Sequence, residues 1–314
     1  MFKNKAVVGA VALALFASLT ATSATAAPKN QSRSVAQADW LEKNIDNPKV
    51  RIIEVSTEPG IYERGHIKNA AKIVWHTDLV DTVNRDIASA KNFQKLAQKL
   101  GINQDTTVVL YGDKNNWFAA WGAWLFNIYG AKDVRILDGG RVKWEKDGRA
   151  LTTAVPTFKQ GNFTTRVADK SLRASLLQDV LPVAKKRVKA DLIDIRSADE
   201  YSGKIFAPAG FQELAVRAGH IPGAINVPWG QNVNADGTFK TVAELKKLYA
   251  DKGVDGKQNI ITYCRIGERS SLTWFVLSEI LGYNVKNYDG SWTEYGNTVG
   301  VPISNPAGTV WGNS

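Results

Sequence analysis

The chain of 314 residues contains 40 lysines and arginines against 30 acidic residues, which gives a formal net charge of +10 at pH 7. The basic residues are spread along the chain without dense interleaving of lysine and aromatic residues, so we expect no nucleic-acid partner. A single cysteine excludes an internal disulfide. Three histidines and no spaced cluster of ligands give no support for a transition-metal site.

Residues 1–26 have the three-part layout of a secretory signal peptide. Two lysines precede an apolar run over residues 6–19, and Ala24-Thr25-Ala26 forms an A-x-A cleavage site. The run is shorter than the ~20 residues that a membrane-spanning helix needs. We therefore expect a periplasmic or secreted protein without stable membrane insertion after cleavage. A retained anchor or a disordered tail is the alternative.

The rest of the chain is built from two similar halves. The segment "RGHIKNAAKIVW" at residues 64–75 recurs as "AGHIPGAINVPW" at residues 218–229. Two more pairs, "TTVVLYGD" with "QNIITYCR" and "DVRILDGG" with "NVKNYDGS", keep the same order. Ordered repeats of this kind predict a duplicated domain. We place the domains at residues 36–150 and 185–303, with a linker over residues 151–184.

Each half shows the same succession of secondary structure. "VRIIEV" and "ADLIDIR" are β-branched runs that predict strands, and "VVLY" and "IITY" predict strands buried on both faces. Thr241 and Glu244 have the spacing of a capping box and predict a helix that ends near Gly253. A second helix is predicted after Cys264, ending at Gly282. Alternating strands and helices predict α/β domains, each with a mostly parallel sheet flanked by helices.

The cysteine occupies a strand-to-helix turn in only one half. The second half reads "YCRIG" from Tyr263, whereas the first reads "YGDKN" from Tyr111, so glycine replaces the thiol. Ligands bind at the carboxyl ends of strands in open α/β sheets. These observations favour a functional thiol at Cys264 over a buried inert one or an intermolecular bridge.

The loop after Cys264 has the components of an anion site. Gly267 allows a tight turn, and successive backbone N–H groups in such a turn can converge on one point. The following helix adds its positive N-terminal end, while Arg265 and Arg269 add full charges. These groups are expected to favour the thiolate and an anionic substrate. Glu268 opposes this effect, and we expect it to point outward or to pair with an arginine.

The chain resembles the two-domain rhodaneses, which are thiosulfate sulfurtransferases. "CRIGER", from Cys264 to Arg269, is similar to the six-residue active loop of that family, in which the cysteine forms a persulfide. "YDGSWTEY", from Tyr288, matches the C-terminal family signature, and "GHIPGA" from Gly219 matches another motif. The resemblance implies two tandem rhodanese-like domains, of which the first is inactive.

Three positions depart from the family pattern or qualify it. Ile266 stands where vertebrate thiosulfate enzymes have a lysine, and Arg269 is the candidate to replace it. Glu200 stands where mammalian members have a substrate-contacting arginine. Arg196 matches a family arginine near the pocket. Substrate contacts are therefore expected from Arg269, Arg196, Arg265 and Gly267.

Some shared residues are interpreted as architecture. His66 and His220 occupy equivalent places in the two halves, and an inactive domain needs no catalytic base. We expect both to hold turns through side-chain hydrogen bonds. Asp138 and Asp289 are equivalent in the same way. The Trp292 and Glu294 pair is interpreted as part of a packing signature.

The resemblance implies transfer of the sulfane sulfur of thiosulfate to a thiophilic acceptor such as cyanide, through a Cys264 persulfide and without a cofactor. The alternatives are a 3-mercaptopyruvate sulfurtransferase, which the arginine after the cysteine disfavours, and a non-catalytic sulfur carrier. A rhodanese-like phosphatase or arsenate reductase is the third alternative. Its loop would be one residue longer than the four residues between Cys264 and Arg269. The sequence leaves the oligomeric state open.

Overall fold

The computed structural model describes residues 32–212 and 214–312. The predicted signal peptide lies outside the described residues. Within the described part, no helix is long and apolar enough to cross a membrane.

The first domain is built on a parallel five-stranded sheet in the order β1-β7-β6-β2-β3. A small antiparallel hairpin of β4 and β5 stands apart from it. The strands of this domain are Val35–Ala36 (β1), Val50–Glu54 (β2), Ala71–Lys72 (β3), Val80–Asp81 (β4), Asp86–Ile87 (β5), Thr107–Tyr111 (β6) and Asp133–Leu137 (β7). The central strands are buried because helices cover the sheet. These helices are Ala38–Lys43 (α1), Ile61–Arg64 (α2), Ala90–Lys99 (α3), Trp117–Ile128 (α4) and Gly140–Lys146 (α5).

The second domain repeats this plan with a parallel four-stranded sheet in the order β11-β10-β8-β9. Its strands are Asp191–Asp194 (β8), Ile225–Asn226 (β9), Ile260–Tyr263 (β10) and Val285–Asn287 (β11). Its helices are Leu181–Ala184 (α6), Ala198–Ser202 (α7), Val242–Ala250 (α8), Glu268–Phe275 (α9) and Ser291–Asn297 (α10). The predicted α/β architecture of two domains is therefore confirmed.

Local signals in the sequence explain where the second-domain helices begin and end. The predicted capping box starts α8, because Thr241 Oγ1 accepts the Glu244 N–H while the Glu244 carboxylate accepts the Thr241 N–H. Helix α9 continues as a π-helical turn over Val276–Ile280 and ends at Gly282, whose φ is +74°. Glycine adopts this left-handed conformation without strain.

The predicted linker over residues 151–184 follows the surfaces of both domains. The Phe163 N–H donates to the Ile102 carbonyl of the first domain, and the Ala174 N–H donates to Asn287 of the second, both at 3.0 Å. The linker also contains a π-helical turn at Leu176–Val180 and helix α6. Its backbone is thus fixed against the domains that it joins.

Equivalent elements of the two domains meet at their interface. Helix α4, which follows β6, packs against α9, which follows β10. The ring centroids of Trp117 and Trp229 lie 4.8 Å apart in a T-shaped contact. The cysteine loop precedes α9, so this packing places the loop beside the first domain.

Each domain also extends a hairpin to the other. Asp138 of the first domain accepts the N–H of Phe239, in a short hairpin of the second, at 2.8 Å. Asp289 of the second domain lies 3.7 Å from the guanidinium of Arg85, in the β4–β5 hairpin of the first. We call this reciprocal arrangement the hairpin exchange.

Candidate active site

The cysteine loop connects β10 to α9 by a turn that requires glycine. Gly267 has a φ of +98°, and a Cβ atom there would lie 2.7 Å from the Cα of Asp289. Because of the left-handed conformation and the close approach, another residue could stand here only if the surrounding backbone moved. The predicted role of Gly267 in closing the turn agrees with this geometry.

Cys264 lies at the end of the buried strand with a side chain that is 0% exposed. Its Sγ accepts the Gly267 N–H at 3.1 Å, and its own N–H donates to Ser291 Oγ at 3.1 Å. The Trp292 N–H donates to the Cys264 carbonyl at 3.0 Å. These contacts fix the backbone around the sulfur and direct the Gly267 N–H at it, which is one of the several N–H groups that the predicted anion nest requires.

The resting loop nevertheless does not favour the thiolate. Burial raises the pKa of the Cys264 thiol, and the nearby Glu268 carboxylate raises it further. Arg269 and the backbone N–H groups of Ser270 and Gly267 lower the same pKa without overcoming the increase. Arg269 and the backbone N–H groups thus act in the expected direction, but burial and Glu268 outweigh them, so the net shift of the pKa is opposite to the expected one.

Glu268 faces the thiol. It is only 4% exposed, and its Oε2 lies 3.6 Å from Cys264 Sγ, which donates a weak hydrogen bond to it. Its Oε1 is 3.9 Å from Arg269 Nε. The outward orientation offered as one alternative is wrong, and the expected pairing with an arginine is a long contact. The loop thus places a buried carboxyl group next to its sulfur.

Arg269 also lies inside the site, but its charge is balanced. The side chain is 7% exposed and donates to both carboxylate oxygens of Glu200, at 3.1 and 3.2 Å. Burial alone would raise the pKa of Glu200, yet this pairing lowers it. The expected full charge of Arg269 is thus present at the helix N-terminus, but the Glu200 carboxylate balances it. Direct contact of Arg269 with a substrate stays a prediction.

Arg196 is held within the core of the second domain. Its guanidinium is 1% exposed, donates to both oxygens of Asp194 and to the Gly219 carbonyl, and lies 4.7 Å from the Trp292 ring. The guanidinium therefore serves to neutralise the buried Asp194 carboxylate. Its predicted role in substrate binding is therefore not supported by its surroundings.

Arg265 turns away from the sulfur. Its guanidinium donates to the Gln212 carbonyl and lies 5.3 Å from the Phe211 ring. Both contacts are with a segment of its own domain, so the expected contact of Arg265 with a substrate stays a prediction. The structure thus gathers Cys264, Gly267 and Arg269, and it leaves Arg265 at the rim.

Two contributors to the site were not predicted. Ser291 accepts the Cys264 N–H, and Arg85 of the first domain donates to the Ile266 carbonyl at 2.6 Å. Ser291 belongs to a motif that had been interpreted only as packing. Arg85 is 181 positions from its partner and carries no sequence signal for the contact.

No group of three or more histidine, cysteine, aspartate or glutamate side chains suited to a metal ion occurs within residues 32–212 and 214–312. The chemistry available at this site is that of one thiol in a buried, N–H-lined turn.

Comparison with known proteins agrees with this geometry. The profile of the rhodanese-like domain family matches residues 37–147 and again residues 179–298. The chain belongs to the rhodanese family. The first match covers a domain whose turn has no cysteine, and the second covers the domain with Cys264.

Relatives of this rhodanese are sulfurtransferases or sulfur carriers by name. It is 51% identical over 275 residues to a putative thiosulfate sulfurtransferase of Mycolicibacterium smegmatis, covering 87% of this chain and 98% of the relative. It is 50% identical to the sulfur carrier protein TtuD of Thermus thermophilus, with coverages of 86% and 96%. The crystal structure of SseA from Escherichia coli, titled a 3-mercaptopyruvate sulfotransferase, aligns with a TM-score of 0.70 at 29% identity, with coverages of 82% and 98%. The protein is therefore a member of a sulfurtransferase family.

The paired histidines of this rhodanese are structural. The His66 and His220 rings stack on Tyr62 and Tyr201, with centroid distances of 3.8 and 3.7 Å. In each pair the histidine Nδ1 also contacts the tyrosine carbonyl, at 2.9 and 2.7 Å. Both contacts fix a turn, as expected.

Asp289 and Trp292 combine packing with site architecture. The Trp292 indole N–H donates to the Arg217 carbonyl at 2.9 Å, which is the expected packing role. Asp289 accepts two hydrogen bonds from the linker residue Arg173, at 2.9 and 3.0 Å. It therefore connects the linker to the wall on which Gly267 lies.

Proposed function

We propose that this rhodanese transfers the sulfane sulfur of thiosulfate to a thiophilic acceptor through a persulfide on Cys264. The Cys264 thiolate attacks the outer sulfur of thiosulfate, the sulfur–sulfur bond breaks, and sulfite leaves with the electron pair. Cyanide or a thiol then attacks the outer sulfur of the persulfide, and the cysteine thiolate is released. This two-step displacement is nucleophilic catalysis with ping-pong kinetics.

The observation that carries the proposal is the environment of the thiol. Cys264 is buried at the carboxyl end of β10, and the Gly267 N–H is already directed at its sulfur. A persulfide that extends from this sulfur would meet the N-terminal end of α9, which favours negative charge. Relatives that are 50% identical or more, one named a putative thiosulfate sulfurtransferase and one a sulfur carrier protein, support the same chemistry.

A comparison of donors tests this proposal. The purified chain would be supplied with thiosulfate or 3-mercaptopyruvate, with cyanide as acceptor, and thiocyanate formation would be measured. We expect the higher kcat/KM with thiosulfate, and mass spectrometry should show one added sulfur atom on Cys264 when the acceptor is omitted. Preference for mercaptopyruvate would replace the proposed donor, and absence of the adduct would refute the persulfide.

A sulfur carrier is the second candidate, favoured by the similarity to TtuD. It shares the persulfide and differs in turnover. Many rapid turnovers with thiosulfate and cyanide would support the enzyme, whereas one sulfur per chain delivered only to a protein acceptor would support the carrier.

A phosphatase is disfavoured by two features of the loop. Only four residues separate Cys264 from Arg269. The Arg269 guanidinium also donates to Glu200 through Nη1 and Nη2, which are the groups that would clamp a phosphoryl oxygen.

Export to the periplasm or the medium remains a proposal based on residues 1–26. Sequencing the N-terminus of the protein recovered from its native host would test it. A mature chain that starts near Ala27 supports export, and an intact Met1 start contradicts it.

A further inference from the structure

Arg85 belongs to the first domain but contacts the catalytic loop of the second. It lies in the turn of the β4–β5 hairpin, and its Nη2 donates to the carbonyls of Ile266 at 2.6 Å and Asp289 at 3.3 Å. Its side chain is 44% exposed, so it meets the loop at the edge of the interface. The backbone at Arg85 has a φ of +53°, a left-handed conformation that is uncommon for a residue other than glycine.

The carbonyl that Arg85 contacts belongs to the same peptide group as the N–H that contacts the sulfur. Ile266 provides the oxygen, and Gly267 provides the nitrogen, which lies 3.1 Å from Cys264 Sγ. A trans peptide is planar, so its C=O and N–H point in opposite directions. Holding the oxygen toward Arg85 therefore directs the N–H toward the sulfur. A charged donor on the oxygen also polarises the group and strengthens the N–H as a donor.

The flexibility of glycine gives this contact its importance. Gly267 has access to backbone conformations that other residues avoid, so the peptide before it can rotate at little cost. Rotation would turn the N–H away from Cys264 and bring the carbonyl oxygen toward the sulfur. A thiolate or persulfide would then face a partial negative charge. The hydrogen bond from Arg85 opposes this rotation.

The hairpin that carries Arg85 is itself anchored. Asp86, the next residue, pairs with Arg173 of the linker at 2.7 Å. Arg173 in turn makes a bidentate pair with Asp289, the residue against which Gly267 packs. This chain of ion pairs fixes the position from which the guanidinium reaches the loop.

The reciprocal hairpin of the second domain has no such side chain. Its turn, residues 234–238, contains no lysine or arginine, and Gly237 lies against Gly139 and Asn115 of the inactive domain. The hairpin exchange is thus asymmetric, and the cation is directed at the loop that contains the cysteine.

We infer that Arg85 is a positioning residue for sulfur transfer: it orients the Ile266–Gly267 peptide so that the Gly267 N–H stabilises negative charge on Cys264. The inactive domain then contributes directly to the reactivity of the thiol. This inference rests on the proposed role of Cys264 as the nucleophile.

The test compares Arg85→Met with the parent protein and with Arg64→Met. Arg64 is a matched control, because it is also an exposed arginine of the first domain that donates to a backbone carbonyl and pairs with an acid. The rate of Cys264 alkylation by iodoacetamide would be measured from neutral to alkaline pH. Since Cys264 is the single cysteine, the alkylation rate reports on one site.

We expect Arg85→Met to raise the pKa of the thiol by about one unit, which lowers the alkylation rate at neutral pH about tenfold. Arg85→Lys should restore part of the loss because it keeps a charged donor, and Arg64→Met should match the parent. In Arg85→Met, the fold decrease in kcat for thiosulfate should be larger than the fold change in KM. If Arg85→Met does not fold, Arg85→Gln serves in its place with the same expected direction.

An unchanged pH profile in the folded Arg85 variant overturns the inference. So does an equal shift in Arg64→Met, or a loss of rate that is uniform at every pH. Alkylation does not depend on the sulfur donor. A parent protein that fails to turn over thiosulfate would therefore refute the proposed function while the result on Arg85 stands.

Discussion

The two strand-to-helix turns of this molecule show how an active loop and an inactive loop differ. In the second domain the Cys264 N–H donates to Ser291 Oγ, which itself donates to the Tyr288 carbonyl. In the first domain, Asn116 performs both tasks: its Oδ1 accepts the Gly112 N–H and its Nδ2 donates to the Leu137 carbonyl. The backbone frame is thus preserved without the thiol.

The space for a thiol is lost as well. A Cβ atom on Gly112 would lie 2.3 Å from the carbonyl oxygen of Val55. Asp113, which stands where the second domain has Arg265, accepts the backbone N–H groups of Thr57 and Glu58. The inactive turn is therefore a closed structural corner, and replacing its missing cysteine would not rebuild the site.

Charge balance differs in a related way. Asp194 of the active domain is neutralised by Arg196, whose guanidinium lies beside the Trp292 ring. At the equivalent of Trp292, the inactive domain has Arg141, which pairs directly with buried Glu54 at 2.9 Å. In each domain one arginine thus forms an ion pair with one buried acid, but the two arginines stand at positions that are not equivalent. This comparison supports a structural role for Arg196.

The largest effect is expected from removing the thiol. Cys264→Ser should abolish sulfur transfer, since an oxygen nucleophile cannot form a persulfide. Thiocyanate formation and the mass of the sulfur adduct would measure the loss, with thermal unfolding as the control for folding. Substantial residual turnover would mean that the two loops do not differ in the way proposed.

The next effect comes from the buried pair of Glu200 and Arg269. Arg269→Met leaves buried carboxylates without their partner and should destabilise the protein by about 3–5 kcal/mol. The double variant Glu200→Met with Arg269→Met should recover most of this loss. Urea denaturation would measure both, and equal destabilisation in the two variants would contradict the pairing. A raised KM for thiosulfate in the double variant would show a donor contact in addition.

Transplanting a thiol to the inactive loop tests whether that loop is closed. In a Cys264→Ser background, Gly112→Cys should restore no activity and should cost about 1–3 kcal/mol of stability through overpacking. Gly230→Cys is the control, because a Cβ there meets nothing within 4 Å and its φ is not in the left-handed region. Sulfur transfer by the Gly112 variant would show that the thiol alone separates the two loops.

The smallest effect is expected from replacing Glu268, the acid beside the sulfur. Glu268→Gln removes the charge that raises the pKa of Cys264, so that pKa should fall. Alkylation at neutral pH should then accelerate, about tenfold for each unit of decrease. The pH profile of alkylation would measure the shift, with Glu58→Gln of the first domain as control. A pKa that rises or stays constant would contradict the electrostatic role of Glu268.

The backbone of the active site could be predicted from the sequence because its signals are local. The capping box at Thr241 and Gly267 in the loop each act on residues within a few positions, and the duplicated segments show where the loop lies in each half. They are sufficient to place Cys264 at the end of a buried strand. The same signals predicted the α/β class and the helix after the cysteine.

The charges of the site could not be predicted because they depend on distant partners. Glu200 and Arg269 are 69 positions apart, and Arg85 and Ile266 are 181 apart. Counting arginines in the loop predicted positive charge, whereas folding brings Glu200 to Arg269 and turns Glu268 toward the thiol. Sequence alone shows which charged groups are present, but their pairing depends on packing between elements.

The hairpin exchange also has a consequence for the order in which the protein matures. Arg85 is synthesised well before the cysteine loop, and domains generally fold as units with the N-terminal one first. The loop can gain its Arg85 contact only after both domains have folded and docked. We therefore expect refolding from denaturant to restore helical circular dichroism before it restores the alkylation rate of Cys264. The interval between the two signals would measure the docking step.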